Sequence, residues 1–136
     1  MAVHLLSPTG LATPVPYHHV SVATGTKTIS VAGQTGGSIG NRTPEPGDLA
    51  TQVAEALRNV AIALAGAGAT FADTTRLTFY VTAWEQSKMS EFLEGIEAVR
   101  NELKIPDLLP PASLIGVQIL FEPGVLVEIE ATAVVN

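Results

Sequence analysis

A chain of 136 residues with 46% hydrophobic and only 15% charged residues is sized and composed for one folded domain, and this composition excludes intrinsic disorder. Thirteen acidic residues against seven basic ones give a net charge of −6, and the basic residues stand singly, so the footprint of a nucleic-acid or anionic-membrane surface is missing. There is no cysteine, which removes disulfides and thiolate chemistry and leaves any zinc site to histidine and carboxylate ligands. The opening "MAVHLLSPTG" has no basic segment followed by a long apolar run, and no apolar stretch reaches the roughly 18 residues of a membrane span. We therefore expect a cytoplasmic protein, a single domain over residues 1–136, with no cofactor. So little charge to cover a surface also implies apolar area buried against other subunits.

In chain order, "VSVATGTKTISVAG" reads as two β-branched runs, 19–24 and 28–33, joined by a Gly-containing turn at Thr24 to Lys27, which is a hairpin pattern. "GQTGGSIGNRTPEPGD" is crowded with Gly, Pro and polar residues and reads as a loop of about fifteen positions. It resembles a phosphate loop, but no lysine follows the glycines and no helix starts at once, so a rim to a cleft is the simpler reading. Asp48 is positioned to cap a helix in which Leu49, Val53, Leu57, Val60 and Leu64 recur at helical spacing, with Gly66 and Gly68 at its end.

"TTRLTFYVTAW" is β-branched and aromatic with apolar positions on both faces, the pattern of a central strand. Ser87 is expected to cap a second helix carrying Met89, Phe92, Leu93, Ile96, Val99 and Leu103 in one stripe, and Pro106 to stop it. "ASLIGVQILF" and "VLVEIEATAVV" flank "EPG" and read as two strands paired in a hairpin. The order β-β-α-β-α-β-β predicts an α+β domain with one mixed sheet and both helices on one face. In the last strand Val127, Ile129, Ala131 and Ala133 alternate with Glu128, Glu130, Thr132 and Val134, so the second face is semi-polar and suits a subunit interface.

His18 and His19, with His4, are the only imidazoles. Neighbours on a strand point to opposite faces and do not share one ion, so no metal site is expected. Glu130 shares the face of Glu128, but nothing nearby supports glycoside chemistry by the pair, which reads as a stripe of polar strand positions. Arg76 opens the central strand, either as a cation aimed into a site or as a solvated strand end.

The segments "PVPYHHV", "SVAGQ", "VAEALRNVAIALAGAGAT", "LTFYVTAW", "LPPAS" and "VEIEATAVV", in this order from about Pro16 to Val135, resemble the Rid (reactive intermediate deaminase) family, also called YjgF or L-PSP. The resemblance implies a chorismate-mutase-like α+β fold assembled as a homotrimer, with the sheets turned inward and a small-molecule cleft at each of three subunit interfaces. In active members those clefts hydrolyse enamines and imines to ketones and ammonia. By the same resemblance the cleft includes Tyr17, the backbone at Ala32 and Gly33, the position after "PPA", and Glu128.

Active deaminases carry an arginine after "PPA", a two-pronged donor that grips the substrate carboxylate. Here that position is Ser113, a neutral hydroxyl, and losing such a charge-assisted contact costs about 2–5 kcal/mol. Ala32 stands where many relatives have serine. The expectation is a C=N hydrolase with an altered substrate and weak or absent activity on 2-imino acids. Glu128 would position and deprotonate the attacking water, or simply pair with a donor across the interface. Tyr17 would donate a hydrogen bond or pack as an aromatic lid. The alternative from a different class is a non-catalytic trimer that binds or senses a metabolite. The ribonuclease activity attached to the L-PSP name fits poorly with an acidic chain that has no basic stripe.

Overall fold

The computed structural model describes residues 2–37 and 47–136. Its elements in chain order are β1 (Val3–Leu6), β2 (Val20–Ala23), β3 (Lys27–Gln34), α1 (Leu49–Gly66), β4 (Thr74–Thr82), α2 (Met89–Leu103), β5 (Ala112–Val117) and β6 (Val127–Val135). Residues 38–46, most of the expected Gly- and Pro-rich loop, lie outside the described residues.

Four strands form a mixed sheet in the order β3-β6-β4-β5, with β6 antiparallel to both neighbours and β5 parallel to β4. A parallel pair needs a long crossover, and α2 supplies it between β4 and β5. That connection carries β5 to the outer edge, so the two C-terminal strands are not the expected hairpin. After Val117 the chain turns back and inserts β6 between β3 and β4, where Val127, Ile129 and Ala133 are fully covered. The other expected hairpin is also absent. β2 pairs with β1 in a separate two-stranded sheet, and β3 pairs with β6. The corner between them is Gly25, where a Cβ would lie 2.6 Å from the Val135 carbonyl oxygen, so the turn is pressed against β6 instead of closing on itself. The single sheet of the sequence reading is thus two sheets, with β1 an additional strand.

Both helices cover one face of the larger sheet. Val53, Leu57, Val60 and Leu64 of α1 and Phe92, Ile96 and Val99 of α2 meet Leu77, Phe79 and Val81 of β4 and the apolar side of β6 in one core. Asp48 caps α1 as expected, accepting from the Thr51 N–H at 2.8 Å. The Leu49 N–H, left over at the same end, donates 2.8 Å to Glu91 of α2, so the second helix helps to cap the first. Ser87 does not cap α2: it sits in a short 3-10 segment, Gln86–Lys88, and α2 begins at Met89 without a side-chain cap. Past Leu103 the chain leaves the helix through a left-handed residue, Lys104, two positions before Pro106. Gln52, buried on α1, donates from Nε2 to the Gly124 carbonyl at 3.0 Å and accepts from the Leu126 N–H at 2.9 Å. It ties the loop preceding β6 to the helix layer.

Candidate functional site

The sheet face away from the helices carries a set of polar side chains. Strand alternation and register put Arg76, Thr78 and Tyr80 of β4, Ser113 and Ile115 of β5, and Glu128, Glu130 and Thr132 of β6 on this side. Tyr80 stands opposite Glu128, Thr78 lies between Glu130 and Ser113, and Arg76 is opposite Thr132.

The two carboxylates of β6 have different surroundings. Glu130 accepts a 2.8 Å hydrogen bond from the Tyr80 hydroxyl. That bond, followed by partial desolvation and the negative charges of Glu130 and Glu128, pushes the Tyr80 phenol above its ordinary range, with Arg76 opposing. Glu128 leans instead over β3. The β3–β6 ladder slips between Val31 and Gln34, and a Cβ on Gly33 would fall 2.5 Å from the Glu128 carboxyl carbon. Only a glycine lets the carboxylate lie against the backbone here, so Glu128 packs directly on Gly33, next in sequence to Ala32.

The other two candidate residues, Tyr17 and Ser113, lie across β4 from this pair. Tyr17 bridges to Leu109, meets the His19 ring edge-on with centroids 5.3 Å apart, and lines with Ser113 an apolar cleft of about 140 Å3 that also touches Met89, Phe92 and Leu93. Ser113 does not stand alone: its Oγ accepts a 2.6 Å hydrogen bond from the Arg76 guanidinium. Arg76 is exposed near the start of β4, and its guanidinium reaches across to this hydroxyl. Tyr80 was not singled out from the sequence, because its pairing with Glu130 depends on the β4–β6 register.

The two groups of candidate residues do not meet within the chain. Ser113 and Glu128 lie on opposite sides of β4, offset by two residues, which separates their backbones by roughly 10 Å or more. The histidines are dispersed as well: His19 Nε2 bonds to the Ala12 carbonyl at 2.9 Å, the His18 backbone N–H donates to the Leu109 carbonyl, and His4 of β1 pairs with Val22 of β2. Among the described residues no group of three or more His, Asp or Glu side chains is placed to hold a metal ion.

The family model described as Endoribonuclease L-PSP matches residues 9–135. The chain belongs to the Rid/YjgF/L-PSP family. This Rid protein is similar to the solved structure of a Rid-family protein of unknown function, YyfB from Yersinia pestis, with 31% identity, 99% of this chain and 100% of that chain covered, and a TM-score of 0.85. It also resembles Rv2704, a YjgF-family member from Mycobacterium tuberculosis, at 35% identity over 98% and 99% of the two chains with a TM-score of 0.61. The YjgF gene product of E. coli shares 26% identity over 96% and 92%, with a TM-score of 0.66. No curated protein matches the chain. No helix among the described residues of this Rid protein is long and apolar enough to cross a membrane.

Proposed function

We propose that this Rid protein is a cytoplasmic homotrimer whose subunit interfaces form clefts that hydrolyse imines or enamines to a carbonyl compound and ammonia, with a substrate range shifted by Ser113. The observation that carries this reading is the split site: Tyr17 with Ser113 and Gly33 with Glu128 are each assembled, yet β4 separates them on one chain. A compact cleft holding both is built where the first half of one subunit faces the second half of its neighbour, and a closed ring repeats that contact identically.

The chemistry follows from the residues. Hydrolysis of C=N needs water delivered to carbon, a proton taken from that water and a proton given to nitrogen. Glu128 has no hydrogen-bond partner among the described residues and lies against glycine backbone, so its carboxylate serves as the base that orients and deprotonates water. Glu130 is occupied by Tyr80, which argues against glycoside chemistry by the pair. The scattered basic residues and net charge of −6 do not favour RNA as substrate.

The test is ammonia release from freshly generated imines of varied charge, with Glu128→Gln as control. Turnover by the native protein that disappears in the variant supports the reading. A metabolite-binding trimer without turnover is the alternative favoured by the neutral Ser113 hydroxyl, and it predicts ligand-dependent thermal stabilisation with no ammonia formed.

A further inference from the structure

We propose that Arg76 is the specificity-determining cation of this cleft, and that the C=N substrate carries a carboxylate held jointly by the Arg76 guanidinium and the Ser113 hydroxyl. This rests on reading the cleft as a C=N hydrolase site and narrows the substrate class. A serine after "PPA" by itself points to a neutral substrate. Three observations point the other way.

First, the register delivers the charge. β4 and β5 run parallel with Thr78 opposite Ser113, and Arg76 lies one face-repeat before Thr78. Its long side chain reaches diagonally to the β5 position, where Nη2 donates to Ser113 Oγ at 2.6 Å. The positive group missing from β5 is therefore supplied from the neighbouring strand.

Second, the charge is not neutralised. The ion pairs among the described residues are Arg58–Glu102 and Arg100–Glu97, and none of the described carboxylates lies within ion-pair distance of Arg76. The acid sharing its concavity of about 290 Å3, Glu130, is engaged by Tyr80. An exposed arginine fixed on a hydroxyl, with the neighbouring acid engaged by a tyrosine, leaves N–H donors open to an anion.

Third, the donors match a carboxylate. A guanidinium has five N–H groups, and one contact to Ser113 leaves a pair for bidentate recognition. Ser113, accepting from Arg76, keeps its own proton to donate to the same anion. The anchor approaches from β4 and not from β5, so a bound acid is displaced from where a β5 arginine would hold it. That displacement accounts for a shifted substrate range without loss of the negative group.

The experiment pairs kinetics with direct binding. Ammonia release is measured for a carboxylate-bearing imine and its carboxamide counterpart, and calorimetric binding for pyruvate against methyl pyruvate. The native protein, Arg76→Ala, Arg76→Lys and Ser113→Ala are compared. We expect the native protein to prefer the carboxylate probes, and Arg76→Ala to raise KM for the acidic imine and Kd for pyruvate about 10- to 100-fold while kcat and the neutral probes change little. Arg76→Lys restores part of the loss, and added salt weakens native binding. Native preference for neutral probes, or acid binding indifferent to Arg76 and Ser113, overturns the proposal even where imines are hydrolysed. Arg76-dependent pyruvate binding without ammonia release from any imine defeats the hydrolase reading and leaves the anchor standing.

Discussion

The Tyr80 hydroxyl distinguishes the two carboxylates of β6. By donating to Glu130 it fixes that acid and leaves Glu128, which the sequence could place on the same face but could not tell apart from its neighbour. Strand alternation gives the face of each residue; the partner across the ladder comes only from register. The bond has a readable consequence. The chain has two tyrosines, so a Tyr17→Phe variant leaves one phenol to follow by ultraviolet absorbance. We expect it to ionise above the ordinary tyrosine range, because Glu130 accepts its proton-bearing hydroxyl, and Glu130→Gln to lower it towards the ordinary value. A folded-state value raised above the unfolded one means that the stabilising contribution is complete below about pH 10 and is lost as pH climbs through the folded-state value. Titration at or below the free-tyrosine value would remove Tyr80 from this role.

Elements governed by local pattern were legible in the sequence, and elements governed by distant pairing were not. The stripes Leu49–Val53–Leu57–Val60–Leu64 and Phe92–Ile96–Val99 specify α1 and α2 wherever they pack, and the β-branched and aromatic β4 segment announces an interior strand, although only its Leu77–Phe79–Val81 face is apolar and covered. The two hairpins failed because turn residues such as "EPG" are a local signal, whereas β6 is claimed by both β3 and β4 and β5 by the crossover through α2. β1 is four residues long and carries no pattern to distinguish it. The helix layer is testable at Gly95, where α2 approaches α1 so closely that a Cβ would lie 2.6 Å from both the Ala50 carbonyl oxygen and Val53 Cβ. Gly95→Ala should destabilise the fold by about 1–3 kcal/mol despite its better helix propensity, as measured by urea denaturation. Gln52→Leu should also cost about 1–3 kcal/mol, because it strands the Gly124 carbonyl and the Leu126 N–H. A variant as stable as the native protein would show that the loop before β6 is held by other contacts.

At the scale of the whole molecule, the sheet face bearing the site is only half covered on one chain. Ile115, on the same face as Ser113, is 43% exposed, and Ile119 just beyond the strand is 57% exposed. Three copies with these faces turned inward would cover that apolar area, so light scattering should give about three times the 14.1 kDa chain mass. Ile115→Lys should shift the mass towards the monomer while the circular dichroism of the fold persists. The sequence offered Tyr17, Ser113, Gly33 and Glu128 as candidates through family resemblance, but their division by β4 became visible only with the strand order, as did the reach of Arg76 to Ser113. The most direct measurement of the shared cleft is subunit complementation. Glu128→Gln disables one half and Ser113→Trp blocks the other, and each variant alone should release no ammonia from a carboxylate-bearing imine. Co-expressed in equal amounts, they should regain about a quarter of native activity, the fraction of interfaces that join two intact halves. A mixed assembly as inactive as its parents would contradict a cleft shared between subunits.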